Sequence, residues 1–264
     1  MLSTPLLLGH RGASALAPEN TVAAFDRAML DGADGIEFDV RLSSDHVPVV
    51  IHDDSLRRTG SVDRAVGSLS AVELQNVDVG SWFSKSANLA PRQSFAGERL
   101  PSLSRVFEFF SARSGILYVE MKCDPREGVR LAAEVARLIL QHEFLDRVVV
   151  ESFDLQSILE IKKIDAAIRT AALFEPRLSQ PISTVRRSTM IKKALQYKAD
   201  EIALHHTLAG RVVVEEARKE GLEVVVWTVD EPKWIERARL MEVKALISNN
   251  PGRMVQFRAQ IGAS

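Results

Sequence analysis

The chain has 264 residues, with 34 Lys plus Arg against 35 Asp plus Glu, and 46% of it is hydrophobic. This near-neutral balance excludes the basic excess of a general nucleic-acid binder and the charge imbalance of a disordered tail. The apolar content supports a sizeable core, and the length fits one α/β barrel of roughly 250 residues as well as two smaller domains.

At the start, MLSTPLLLGH carries no basic residue before its apolar run, Leu6-Leu7-Leu8. A secretory h-region needs about 7–15 apolar residues, and a membrane span about 20. No stretch reaches either length, which predicts a cytoplasmic protein without stable membrane insertion. The single cysteine, Cys123, excludes an intrachain disulfide and a Cys-rich metal site, and it suits a reducing compartment.

In chain order, short β-branched runs predict strands at Pro5–Gly9, Gly35–Val40, Val47–His52, Ile116–Met121 and Arg147–Glu151. They continue at Ile168–Phe174, Glu201–Leu204, Leu222–Thr228 and Ala245–Ser248. Helical periodicity lies between most of them, at Asn20–Leu30, Arg126–Gln141, Leu155–Lys163, Thr184–Tyr197, Arg211–Glu220 and Pro232–Leu240. One strand breaks the alternation. Only Arg41–His46 separates the second and third runs, too few for a parallel crossover of a dozen or more residues. Val47–His52 is therefore read as an antiparallel hairpin return. Eight strands in βα rhythm remain.

The expected fold is α/β, a TIM (β/α)8 barrel with an extra β-hairpin strand and a small insertion after the second barrel strand. Residues 1–264 form a single domain on this reading, and 53–101 are the insertion. That stretch holds Gly60, Gly67, Gly80, Pro91, Gly97, Trp82-Phe83 and a weak helix around Leu69–Gln75. Irregular segments of this length commonly serve as caps or lids.

In α/β barrels chemistry sits at the C-terminal ends of the strands. The ionisable residues there are His10-Arg11, the pair Glu37 and Asp39, His52-Asp53-Asp54, and Glu120-Met121-Lys122. Glu37 and Asp39 are two apart and so share a strand face. A hairpin turn centred on Ser44-Asp45 makes paired residue numbers sum to about 89, which predicts His52 opposite Glu37. Three carboxylates at one barrel mouth repel unless a cation joins them. Hard oxygen donors favour Mg²⁺, Ca²⁺ or Mn²⁺ over zinc. Pairing with Arg11, Arg41 and Lys122 would offset the same charge without a metal. His10 and His52 suit proton transfer near neutrality, and Arg11 and Lys122 suit a phosphate. Together these residues predict metal-assisted phosphoryl chemistry with two histidines.

Ordered motifs then carry a resemblance across nearly the whole chain. They are His10-Arg11-Gly12, Pro18-Glu19-Asn20-Thr21 with Phe25, Glu37-Phe38-Asp39-Val40, Val50-Ile51-His52-Asp53-Asp54 and Leu56-Arg57-Arg58-Thr59. Gly80-Ser81-Trp82-Phe83, Leu100-Pro101-Ser102-Leu103, Val119-Glu120-Met121-Lys122, Ser152-Phe153 and Val226-Trp227-Thr228-Val229 follow. The set resembles the glycerophosphodiester phosphodiesterase family. The resemblance implies a TIM barrel that hydrolyses glycerophosphodiesters to glycerol 3-phosphate and an alcohol. It implies His10 and His52 as the acid/base pair, and one divalent cation, Mg²⁺ or Ca²⁺ with Mn²⁺ as a further choice, on Glu37, Asp39 and Glu120. It implies phosphate contacts at Arg11 and Lys122. The chain departs from the family at Asp45-His46, where Asp-Gly is frequent, and at Ser248-Asn249, where Thr-Asp is frequent.

Further candidates have two readings each. Glu19 and Asn20 either cap the first helix or orient Arg11 and His10. Of His205 and His206, one faces the pocket by alternation. Trp227 either walls the substrate pocket or fills core. Trp82-Phe83 is a lid element or the small core of the insertion. Cys123 reads as a packed side chain, and the basic run at Arg186-Arg187 and Lys192-Lys193 as a solvated face. A small-molecule diester is the expected substrate. A lysophospholipase D-like activity and a non-catalytic phosphate-binding barrel are the alternatives.

Overall fold

The computed structural model describes residues 4–86, 94–124, 126–176 and 184–262, with the side chains of 184–187 left aside. Nine strands form one sheet: β1 Leu6–His10, β2 Gly35–Leu42, β3 Pro48–Val50, β4 Ile116–Met121, β5 Val148–Ser152, β6 Arg169–Phe174, β7 Glu201–His205, β8 Glu223–Trp227 and β9 Ala245–Ser248. Eight of them run parallel, in the order β1-β9-β8-β7-β6-β5-β4-β2. The β1–β2 pairing closes the ring. The ninth, β3, runs antiparallel to β2.

Alternation along each strand divides the side chains between barrel lumen and outer shell. Leu8, Tyr118, Val149, Ala171, Leu173, Ala203, Val225, Ala245 and Ile247 pack together inside. Two larger apolar clusters fill the space between sheet and helices, one around Phe38, Phe107 and Leu131, the other around Ile202, Val224 and Ile235. The N-terminal end of the barrel holds a cluster of ion-paired side chains. Tyr118 Oη donates to Glu201 Oε2 at 2.7 Å, and Glu201 Oε1 meets Lys244 Nζ at 2.6 Å and Arg169 Nη2 at 2.9 Å.

Helices α1 Val22–Leu30, α5 Gly128–Gln141, α6 Leu155–Ile164, α7 Thr184–Gln196, α8 Arg211–Lys219 and α9 Trp234–Met241 lie where periodicity predicts them. The insertion contributes a 3₁₀ turn at Val66–Ser68 and two short helices, α2 Ala71–Gln75 and α3 Ser81–Ser86. Its Leu56, Val66, Leu69, Leu74 and Val79 pack on Val49 and Ile51 in a cluster of their own. Three helices were not predicted, α3 among them. Helix α4, Leu103–Ser111, buries Leu103, Val106, Phe107 and Phe110, a clean i, i+3, i+4, i+7 stripe capped by Ser102. Helix α10, Pro251–Gly262, starts on a proline, which suits a first helical position.

The hairpin register differs from expectation by one residue. Val40 pairs with Val50, Arg41 with Val49 and Leu42 with Pro48, so paired numbers sum to 90. The loop centres on Asp45, because His46 adopts φ +63 and lets Ser43 pair with Val47 across three residues. His46 stands where the left-handed conformation favours glycine. It is exposed and takes no part in the site.

Candidate active site

Two strands share one edge of β2. Strand β1 pairs with its first half, with His10 beside Glu37, while β3 pairs with its second half. Because β3 runs antiparallel, the chain leaving Val50 travels back toward Glu37, and Ile51 N still donates to Asp39 O at 3.0 Å. Strict alternation at the observed register would place His52 on the outer face with Val50 and Phe38, not opposite Glu37. It reaches the mouth because β3 stops at Val50 and the backbone bends. Arg41 Nε holds that bend through His52 O at 2.8 Å. Arg41 thus supports the backbone instead of neutralising a carboxylate.

A cavity of about 120 Å³ opens at the C-terminal end of the barrel. His10, Arg11, Glu37, His52, Glu120, Lys122 and Trp227 line it. Glu37, Asp39 and Glu120 are buried, and one oxygen from each lies within 4.8 Å of the others. Burial and the neighbouring Asp39 push Glu120 up to about 8, with Lys122 opposing. Burial, Asp39 and Glu120 likewise hold Glu37 well above the usual carboxylate range. Burial would raise Asp39 as well, but Arg11 and Lys122 hold it well below. Asp39 Oδ1 has an ion-pair contact with Lys122 at 3.4 Å and no hydrogen bond. Glu120 Oε1 lies 2.7 Å from Lys122 Nζ without hydrogen-bond alignment. Buried like charges with unfilled oxygens are what a cation would complete, so the triad could hold a metal ion.

Each histidine has one ring nitrogen tied. Asn249 Nδ2 donates to Asp230 Oδ2 at 2.7 Å, which leaves Asn249 Oδ1 to accept from Ser14 Oγ at 3.0 Å and from His10 Nδ1 at 2.6 Å. His10 therefore carries its proton on Nδ1, and Nε2 lies 3.9 Å from Glu37 Oε2. His52 Nδ1 is 2.7 Å from Asp53 Oδ1. Burial lowers both histidines below their ordinary value. Arg11 adds to this at His10, while Asp39 opposes it at His52.

Asn20 and Glu19 hold the cluster. The helix cap is Thr21, which accepts from Ala24 N, while Asn20 clamps Asp39 through both its amide atoms. Glu19 accepts from Arg11 at 2.8 Å and from both terminal nitrogens of Arg58. Arg58 Nε reaches Asp53 Oδ2 at 2.7 Å. A continuous chain thus runs from His52 through Asp53, Arg58 and Glu19 to Arg11. Arg58 also lies over the Trp82 ring, whose neighbour Phe83 is buried against Phe95. Phe83 is thus packed within the insertion, while Trp82 is half-buried beneath Arg58.

Of the remaining candidates, His205 meets the Trp227 edge at 5.3 Å and His206 packs toward Trp234. Neither is among the residues lining the cavity. Cys123 is pushed up to about 11, by burial first and Asp154 second, which keeps it a thiol. Lys192 and Lys193 are exposed, and the side chains of Arg186 and Arg187 lie outside the described residues. Sequence reading missed Glu151 and Glu175, which also line the cavity. Glu151 carried a signal, an acidic residue breaking the Val148-Val149-Val150 run. Among the described residues no helix is long and apolar enough to cross a membrane.

Bacillus subtilis YhdW is 33% identical over 250 residues, covering 95% of this chain and 96% of the relative. A glycerophosphodiester phosphodiesterase of Caldanaerobacter subterraneus is 31% identical over 252 residues, covering 96% and 97%. Among solved structures, an Oleispira antarctica phosphodiesterase in complex with the product sn-glycerol-3-phosphate superposes with a TM-score of 0.84. It is 23% identical and covers 97% of both chains. Residues 10–253 match the model of the glycerophosphoryl diester phosphodiesterase family, and the chain belongs to that family.

Proposed function

We propose that the protein hydrolyses glycerophosphodiesters to glycerol 3-phosphate and an alcohol, in the cytoplasm and with a divalent cation on Glu37, Asp39 and Glu120. The carrying observation is that His10 and His52, each with Nδ1 already tied, line one cavity with Glu37 and Glu120. A bound Mg²⁺, Ca²⁺ or Mn²⁺ would supply charge that polarises a phosphoryl oxygen and makes a hydroxyl more acidic. Arg11 and Lys122 bind the phosphate and stabilise the charge that develops on it. Trp227 walls the organic part of the substrate.

The ring partners divide the two histidines. His10 leans on a neutral amide that leaves Nε2 facing the cavity, so it is the base, accepting the nucleophile's proton there. His52 is also lowered by burial, but its Asp53 carboxylate partner opposes this in part, so it is the acid that protonates the leaving alcohol. The test is release of glycerol 3-phosphate from glycerophosphocholine and glycerophosphoethanolamine, first with chelator and then with each ion restored. Ion-dependent release is expected, with His10→Ala and His52→Ala each slower by about 10²–10⁴. Near-full activity in either variant would overturn the assignment. Turnover confined to long-chain lysolipids would transfer the chemistry to a lysophospholipase D.

A further inference from the structure

Strand β5 brings a fourth carboxylate into the mouth. Glu151 pairs in register with Glu120, is 1% exposed, and lines the same cavity. Its Oε2 is enclosed without a hydrogen-bond partner. The nearby cations are engaged elsewhere: Lys122 with Glu120 and Asp39, Arg11 with Glu19 and Asp39. Glu151 is also outside the trio whose oxygens converge closely enough for a metal. A buried carboxyl with an empty acceptor is costly unless a ligand completes it.

The wall around Glu151 indicates what that ligand carries. Glu175, just past the end of β6, is exposed at the rim and lines the cavity too. Phe153 is 40% exposed and meets the Trp227 ring edge-on at 5.7 Å. Leu173 and Ile247 complete this side. Lys122 Nζ lies 5.6 Å from the Phe153 ring centre. Besides the residues already assigned to metal, phosphate and proton transfer, the cavity lining holds two acids, two aromatic rings and aliphatic surface. A negative headgroup would be repelled there, and a neutral polyol would bring no positive charge to complement the two acids. An ammonium supplies hydrogen-bond donors for carboxyl oxygens and is attracted to aromatic faces.

We propose that Glu151 and Glu175, with Phe153 and Trp227, form a headgroup subsite for a primary ammonium alcohol esterified to the phosphate. The ammonium donates to Glu151 and is balanced by Glu175, while the methylenes rest on the rings. This rests on the phosphodiesterase reading above.

The test compares kcat/KM on glycerophosphoethanolamine and on glycerophosphoglycerol, which differ only in the headgroup, at saturating divalent ion. The wild type should favour the ammonium diester by roughly tenfold. Glu151→Gln and Glu175→Gln should each cut that ratio several-fold, chiefly through KM for the ammonium diester. Glu151→Gln keeps the side-chain volume, and Glu175→Gln lies at the surface, so a folding defect in one leaves the other informative. An unchanged ratio in both variants would overturn the subsite while leaving the phosphodiesterase reading intact. An equal loss on both diesters would also overturn it, placing Glu151 on the shared glycerol arm instead. Hydrolysis of neither diester by the wild type would overturn both readings.

Discussion

Asn249 Oδ1 lies 2.6 Å from His10 Nδ1, and Asp230 fixes the amide that makes this contact. The carboxylate at this corner of the barrel is therefore one residue removed from the histidine. Asn249→Asp would bring a negative charge directly onto His10. An adjacent carboxylate favours the protonated ring, so the histidine would stay charged to higher pH. As the proposed base must be neutral, the acid limb of the pH–rate profile should move upward, by about one unit. The measurement is kcat/KM against pH for wild type and variant. A shift toward lower pH would contradict the assignment of His10 as base.

The buried triad predicts a metal-dependent gain in stability. Glu37 and Glu120 are held high because like charges crowd a dry site. A cation that binds the folded chain adds about 2.7 kcal/mol at 100 times its Kd. In a domain of this size that corresponds to roughly 5–10 °C in Tm. Thermal unfolding with and without Mg²⁺, Ca²⁺ and Mn²⁺ would read it directly. Glu37→Gln should lose most of the shift, since it replaces a ligand oxygen's charge with an amide at equal size. An undiminished shift in that variant would place the cation elsewhere.

Arg58 joins the two sides of the mouth, bonding Asp53 beneath His52 and Glu19 beneath Arg11. Asp53 is depressed to about 2, with the Arg58 hydrogen bond as the largest cause. Arg58→Met keeps an unbranched apolar side chain and removes every charged contact, including the guanidinium over the Trp82 ring. It should lower kcat about 10–100-fold, the usual effect of removing a group that orients a site ligand. Arg58→Lys should recover little, because one ammonium cannot span both carboxylates as the planar guanidinium does. A positioning role further predicts an altered pH profile, since His52 loses its ordered carboxylate. A Tm loss with unchanged kcat would reduce Arg58 to a structural strut.

Barrel strands and most helices were legible because their signals are local. Runs such as Val148-Val149-Val150 and the spacing of Leu131, Val135 and Leu138 need no tertiary context to be read. The stripe of α4 was equally plain and escaped because it follows directly on an irregular insertion. The hairpin register was not legible in this way. It turned on whether His46 accepts a left-handed backbone, which adds one loop residue and shifts every pair. His52 lines the mouth through a bend after Val50 and not through the expected pairing opposite Glu37. The charges of Glu37, Asp39 and Glu120 were readable from strand-end position. Of the partners that tune the site, Asn249 and Asp230 come from distant segments, and no spacing rule reaches them, while Arg58 follows Asp53 closely but reaches across to Glu19.

The turn that carries Arg11 is strained by design, and this makes a last prediction. Arg11 at φ +53 and Gly12 at φ +81 both take left-handed backbone immediately after β1. That bend turns Arg11 N toward Glu37 Oε2, at 3.1 Å, and swings its guanidinium to Asp39 and Glu19. A Cβ on Gly12 would lie 2.6 Å from the backbone of Ala24, so α1 packs against bare glycine. Gly12→Ala must either push α1 outward or open the turn. The left-handed residue alone costs about 1–3 kcal/mol, and the clash adds to that. Tm should fall by several degrees, and kcat/KM should fall further than the stability loss explains, because Arg11 moves with the turn. Gly67→Ala is the control, since its added Cβ meets only Leu42 O at 3.9 Å and its φ is not left-handed. It should leave activity and Tm nearly unchanged, and comparable damage from both substitutions would refute this account of the turn.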